Sequence, residues 1–114
     1  MSFPGSANQP DKPLVQEILE PLLDDFNYWF DETASLLQSP KADCLAEGDR
    51  QRLTHELDEA QQAVATARSL LLATAGQVGV DMAVVGQWHR LVSQCWQTSR
   101  YIRQQNPGES AASS

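Results

Sequence analysis

The fold of this protein is decided by residues 14–37, whose sequence is LVQEILEPLLDDFNYWFDETASLL. Apolar residues and one threonine recur here at alternating intervals of four and three: Val15, Leu19, Leu22, Phe26, Trp29, Thr33 and Leu36. This rhythm is typical of an amphipathic α-helix and not of a β-strand. Further apolar residues widen the stripe to a broad buried face; they are Ile18, Leu23, Phe30 and Leu37.

Prolines mark the limits of this first helix. Pro13 directly precedes it, which suits a helix start, and Pro40 lies just beyond its end. Pro21 falls inside the pattern, removes one backbone hydrogen bond and crowds the preceding turn. We therefore expect a kink or a break of the helix at Pro21.

A second helical pattern covers about residues 49–75. We call the line of mainly apolar residues along one side of a helix its seam. The seam of this second helix has the same spacing and consists of Leu53, Leu57, Ala60, Val64, Ala67, Leu71 and Thr74. Asp49 is the predicted N-cap, although the first turn could begin as early as Asp43. Gly76 is the predicted left-handed residue that ends the helix.

A third pattern covers about residues 81–105. Its seam consists of Val85, Trp88, Val92, Cys95, Ser99 and Ile102. Asp81 is the predicted N-cap, and Asn106 followed by Pro107 ends the helix. Gly86 is a weak point inside it, because glycine costs roughly 1 kcal/mol relative to alanine in a helix interior.

Together the three patterns predict an all-α, antiparallel three-helix bundle over residues 14–105. A break at Pro21 or at Gly86 would give four helices instead. The segments 1–13 and 106–114 are rich in Pro, Gly and Ser, and we expect both to be disordered tails.

The packing of the aromatic side chains also follows from the seams. The first helix is expected to lay Phe26, Trp29 and Phe30 over the alanines of the second helix, while Trp88 and Trp96 fill the remaining core from the third. The short connection over residues 76–80 should make the second and third helices antiparallel neighbours.

Composition excludes several functional classes. The 114 residues carry a net charge of -7, which argues against nucleic-acid binding through a basic face. No apolar run reaches the roughly 20 residues of a membrane-spanning helix, and the N-terminal residues lack the pattern of a secretory signal. The two cysteines, Cys44 and Cys95, are too few for a disulfide scaffold and suit a reducing cytoplasm.

No motif for catalysis or metal binding is apparent. Neither His55 nor His89 has the Glu-x-x-His spacing of metal-binding bundles, and the cysteines do not form a Cys-x-x-Cys pair. Cys95 lies on an apolar seam and should be a small buried side chain, whereas Cys44 lies in a connection and could be exposed. We expect no enzymatic activity, no metal and no cofactor.

The most distinctive surface feature is acidic. The first helix contains acidic residues but no basic residue. It also contains three adjacent aromatic residues, Tyr28, Trp29 and Phe30. These cannot all face one core, because neighbouring residues on a helix point about 100° apart. Tyr28 is therefore expected at the rim, either as ordinary rim packing or as an interaction hot spot. The candidate interaction residues are Asp24, Asp25, Tyr28, Asp31, Trp88 and His89. Ordinary solvated polar faces are the alternative for the charges.

Three blocks carry a resemblance to a known family: LEPLLDDFNYWF at residues 19–30, QVGVD at 77–81, and WHRLV at 88–92 followed by Cys95-Trp96. Together they resemble a small cyanobacterial family that is catalogued as a domain of unknown function. The resemblance covers about residues 14–103 and implies a small cytosolic protein with a peripheral thylakoid association, but no activity. It marks Trp29, Trp88, His89 and Trp96 as family positions.

From these observations the sequence predicts a cytoplasmic, non-enzymatic protein-interaction module. It would be an accessory or regulatory factor of a larger assembly, with photosynthesis as the suggested setting, and its partner would present a basic or amphipathic surface. One alternative is a homodimeric structural bundle. Another is a bundle that binds a pigment or cofactor through His89 and the nearby tryptophans.

Overall fold

The structure, a computed structural model, describes residues 14–75 and 80–107. Three helices are present, α1 (Leu14–Leu37), α2 (Glu47–Ala73) and α3 (Met82–Gln105). A short 3-10 helix, Pro40–Cys44, connects α1 to α2. No strand occurs in either described range, so the predicted all-α three-helix bundle is confirmed.

Neither of the predicted weak points breaks a helix. α1 runs through Pro21 and α3 runs through Gly86, so the four-helix alternative is wrong. Apolar side chains on both sides of Pro21, Leu19 and Leu23, pack in the hydrophobic core. These tertiary contacts stabilise α1 across the missing hydrogen bond.

The helix starts differ in how they are capped. The predicted cap of α3 is confirmed, since the Asp81 carboxylate accepts a hydrogen bond from the Ala83 amide at 2.8 Å. The predicted Asp49 cap of α2 is wrong: α2 begins at Glu47, and its N-cap is Ala46, which makes no side-chain cap. The connection supplies the reason, because the 3-10 helix ends at Cys44 and leaves only a short extended link before α2.

The end of α2 contains one unusual backbone conformation. Ala75 has a φ of 52°, the left-handed region that we expected for Gly76. Gly76 itself lies outside the described residues, as do residues 77–79, the predicted tail over 1–13, and all of the predicted tail over 106–114 except Asn106 and Pro107.

Side-chain contacts define the direction of each helix. Asp24 of α1 pairs with Arg68 near the end of α2, and the Leu37 carbonyl at the end of α1 accepts from Arg50 near the start of α2 at 3.5 Å. α1 and α2 are therefore antiparallel.

By contrast, α3 runs parallel to α1. Phe26 contacts Trp88, and three residues further along α1 Trp29 contacts Trp96. The bundle therefore runs up, down and up, which leaves α2 and α3 antiparallel as predicted. α1 packs closely on both other helices, whereas α2 and α3 approach each other less closely.

The core confirms two of the predicted seams and shifts the third. Along α2 and α3 the buried residues lie on the predicted seams. Along α1 the buried set keeps Phe26 and Thr33 of the predicted seam, and its other members each lie one residue after a seam position: Gln16, Leu23, Phe30 and Leu37. The predicted core positions of Trp29 and Trp96 are therefore wrong, because 36% of Trp29 and 43% of Trp96 remain exposed.

One end of the bundle is closed by polar contacts around the 3-10 helix, whose Ala42 is fully buried. Arg50 forms ion pairs with Asp43 at 3.5 Å and with Glu47 at 2.9 Å. From the other side, the Asn106 side chain donates to the Lys41 carbonyl at 3.3 Å. These contacts fix the connection between α1 and α2 to the end of α3.

Candidate interaction surface

Three partly exposed aromatic rings lie in contact where α1 and α3 meet at the surface. Trp29 of α1 and Trp96 of α3 meet edge to face, with ring centroids 5.7 Å apart and planes at 88°. Tyr28 makes a similar contact with Trp29, at 5.0 Å and 80°. We call this group, Tyr28, Trp29 and Trp96, the aromatic ridge.

Helix geometry explains why the ridge is exposed. Phe26 and Phe30 of α1 both point into the core, and Trp29 lies one residue before Phe30. Neighbouring helical residues are turned by about 100°, so Trp29 is directed to the flank of the core and Tyr28 away from it. The expected rim position of Tyr28 is confirmed, since 56% of the residue is exposed.

Two carboxylates of α1 bracket the ridge. Asp25 precedes Tyr28 and Trp29 by three and four residues, and Glu32 follows them by four and three. Residues three and four apart are neighbours on a helix surface, so both carboxylates flank the rings. Both side chains are exposed. The ridge therefore combines aromatic surface with negative charge on its α1 side.

The α3 side of the ridge has the opposite charge. Arg100 follows Trp96 by one helical turn, and His89 precedes it by two. Both residues are exposed, and neither forms an ion pair with another residue of the described chain. A ligand lying along the ridge would thus meet carboxylates on one edge and a guanidinium on the other.

The remaining predicted residues do not belong to the ridge. Asp24 is turned toward α2 and its carboxylate pairs with the guanidinium of Arg68. Asp31 is exposed and lies seven residues after Asp24, hence on the same side of α1. Trp88 is buried and meets Phe26 edge to face at 5.8 Å, so it contributes to the core and not to the surface that His89 occupies.

The two cysteines differ in exposure, and neither belongs to a group of possible metal ligands in the described residues. Within residues 14–75 and 80–107, no three His, Cys, Asp or Glu side chains are grouped so that they could hold a metal ion. Burial raises the pKa of the Cys95 thiol above its ordinary value, and a hydrogen bond with the Thr33 side chain opposes this rise. Cys44 is exposed, and its thiol donates to the Lys41 carbonyl at 3.4 Å.

Sequence reasoning missed four residues of the ridge and its charged edges: Trp29, Trp96, Glu32 and Arg100. The signal for Trp29 was present in the spacing of Leu23, Phe30 and Leu37, an uninterrupted seven-residue repeat of large apolar residues. A core centred on that repeat turns Trp29 outward. The exposure of Trp96 had no comparable signal, because it depends on how α1 and α3 approach each other.

A comparison with models of known protein families gives a match. The model of a family described as "Protein of unknown function (DUF2605)" matches residues 9–104. No curated protein and no solved structure matches the chain. In the described part of the chain, none of the helices has the length and apolar character that crossing a membrane requires.

Proposed function

The chain belongs to the DUF2605 family, and we propose that it is a non-enzymatic interaction module whose contact surface is the aromatic ridge. The observation that carries this proposal is the exposure of two tryptophans and a tyrosine that contact one another at the surface. Trp and Tyr are the residues most enriched among interface hot spots. Exposed contiguous aromatic surface on a small domain typically marks a binding site.

The charge pattern narrows the chemistry of the partner. α1 has no basic residue, and Asp25 and Glu32 flank the rings. Arginine and lysine side chains bind well to such a surface, because they contact aromatic faces and pair with carboxylates at once. We therefore infer a protein partner with an amphipathic segment whose basic edge lies along α1.

The proposed biological role is that of an accessory or regulatory factor in a larger assembly. If the source is cyanobacterial, as the sequence resemblance implies, the photosynthetic machinery and the cytoplasmic face of the thylakoid are the first places to look for that assembly. A surface charge pattern gives specificity and association rate more than affinity, which suits a regulatory contact.

Quantitative affinity purification from the native organism tests this role. The bait is the full chain, compared with the double variant Trp29→Ala plus Trp96→Ala. Tyr101→Ala is the matched control, since Tyr101 is 44% exposed on α3 and outside the ridge. The proposal requires proteins that are enriched by the wild-type chain and by the Tyr101 variant but not by the double variant. Recovery of the same proteins with all three baits would contradict it.

A second pair of variants separates the ridge from a general acidic face. Asp25→Lys reverses a charge beside the ridge, whereas Glu17→Lys makes the same change at an exposed position of α1 about three turns before the ridge. The ridge predicts that partner affinity falls at least about tenfold with Asp25→Lys and changes little with Glu17→Lys. Equal losses would favour the broad acidic face that the sequence suggested.

A further inference from the structure

An apolar groove runs between α2 and α3, on the side of the molecule away from α1. Because α2 and α3 both pack on α1 but not closely on each other, the space between them stays open. One stretch of the groove has a volume of about 510 Å³. Its apolar floor is formed by Ala60, Ala63, Val84, Trp88 and Leu91.

The groove continues toward the end of α2. A second stretch shares Ala63, Val84 and Trp88 with the first and adds Ala67 and Leu70. Leu70 is 48% exposed and Ala63 is also exposed, while Val84 and Leu91 are only half buried. The side chains of these alanines are small, so another helix could approach α2 closely at the groove.

The rims of the groove carry opposite charges. Glu56 and Glu59 line the α2 side, and Arg90 lines the α3 side of the same stretch. Within residues 14–75 and 80–107, Glu56 and Glu59 form ion pairs only with neighbours one turn away on α2, Arg52 at 3.9 Å and His55 at 3.3 Å. Such exposed pairs contribute little, so the carboxylates remain available to another chain. Arg90 forms no ion pair with any residue of the described ranges.

This charge arrangement is self-complementary, and we propose that the groove is the interface of a homodimer. A two-fold axis parallel to the groove places α2 of one protomer over α3 of the other. Glu59 then faces the partner's Arg90, and by symmetry Arg90 faces the partner's Glu59. The two apolar floors cover each other between these charge pairs, which is the usual arrangement of an apolar interface core within a polar rim.

The other two-fold arrangement is disfavoured by the same charges. An axis across the groove would place α2 over the partner's α2 and α3 over the partner's α3. The acidic rim would then face an acidic rim, and like charges opposite each other weaken association. The dimer uses a different face from the aromatic ridge, so both surfaces can be occupied at once.

A charge-swap experiment tests the dimer. Arg90→Glu makes both rims acidic and Glu59→Arg makes both rims basic, so each variant alone should dimerise at least about tenfold more weakly than the wild type. An equimolar mixture of the two variants should restore the dimer, because both contacts then join opposite charges. Sedimentation velocity from nanomolar to high micromolar concentration measures the dimerisation of each variant, of their mixture and of the wild type.

The mixture distinguishes contacts between chains from contacts within one. If Glu59 and Arg90 interacted only within one protomer, mixing the two variants would not restore dimerisation. Arg103→Glu is the matched control, since it makes the same charge change on α3 outside the groove, and it should dimerise like the wild type. Ala63→Glu, an exposed position on the groove floor, should abolish the dimer without unfolding the chain.

Besides a failure of the mixture to restore the dimer, two results would overturn the proposal. One is a wild-type chain that stays monomeric at high micromolar concentration. The other is a dimer that persists in the Arg90→Glu and Ala63→Glu variants, since that dimer would use another face. Circular dichroism spectra of each variant establish that the helices are intact in every comparison.

Discussion

Two groups of aromatic side chains, built from the same two helices, differ in where they lie. Phe26, Phe30 and Trp88 are almost fully buried, with Phe26 in ring contact with each of the other two. The aromatic ridge lies immediately beside them along α1 and is exposed. Both groups contain an edge-to-face contact between α1 and α3, at 5.8 Å in the core and 5.7 Å in the ridge.

The comparison shows that ring contact and burial are separate properties. The core group has apolar neighbours from all three helices around it, so removing one of its rings leaves a cavity. The ridge has solvent on one side, so its rings can move or meet a ligand. The buried rings are therefore needed for the fold, whereas the aromatic ridge is accessible to a binding partner.

The largest expected difference between the two groups is in stability. Trp88→Ala should lower the free energy of unfolding by about 3–5 kcal/mol, because it removes a buried indole from a packed site. Trp96→Ala should lower it by about 1 kcal/mol, the scale of one exposed ring contact. Urea unfolding of the two variants at equal protein concentration measures both values. Equal losses would mean that the ridge is part of the core after all.

Cys95 is buried, whereas its sequence neighbour Trp96 is exposed. The rate at which a reagent modifies the thiol tests this difference. Cys95 is fully buried and its pKa is raised, so its thiol stays protonated and inaccessible in the native state. Cys44 is exposed. A thiol reagent should modify Cys44 at least about a hundredfold faster than Cys95, whose reaction requires opening of the bundle.

The single variants Cys44→Ser and Cys95→Ser assign the two reaction rates. Comparable rates would show that α3 opens readily around Cys95. The raised pKa also sets the sign of a pH effect: the unfolded chain loses the thiol proton near the ordinary pKa of 9.0, while the native state retains it. The contribution of Cys95 to stability is therefore complete below that pH and is lost as the pH rises above it.

The smallest expected effect distinguishes the adjacent residues Asp24 and Asp25. Asp24 pairs with Arg68 across the α1–α2 contact, and both side chains are substantially exposed. A double-mutant cycle with Asp24→Asn and Arg68→Met should give a coupling of about 0.2–1 kcal/mol that weakens with added salt. The parallel cycle with Asp25→Asn should give no coupling to Arg68. A coupling for Asp25 as large as that for Asp24 would contradict the placement of these residues.

Much of the fold could be predicted because helical periodicity is a local property. The bounds of α1, the Asp81 cap and the seams of α2 and α3 follow from residue spacing alone. The start of α2 could not be predicted in this way. Asp49 has a suitable side chain for capping, but the 3-10 helix before α2 sets the start at Glu47.

The candidate site was predicted only in part. Tyr28 was expected at the surface because three adjacent aromatics on a helix cannot share one face. Trp29 and Trp96 were expected in the core, since each lies next to a true core residue and has the right polarity. Trp88 was expected at an interface as well as in the core. It is buried against Phe26 and does not belong to the ridge, but it also lines the groove of the proposed dimer.

The sequence by itself determined that this protein has three amphipathic helices, because the spacing of apolar residues at three and four leaves no other regular structure that buries them together. It also determined the acidic character of α1. Only the tertiary structure decided which part of the apolar face of each helix is buried against a neighbouring helix. α1 has a neighbour on two sides, so its buried face is centred between α2 and α3 and the two rings beyond that face remain outside. The groove between α2 and α3 has the same origin, since three helices arranged around α1 do not close on one another.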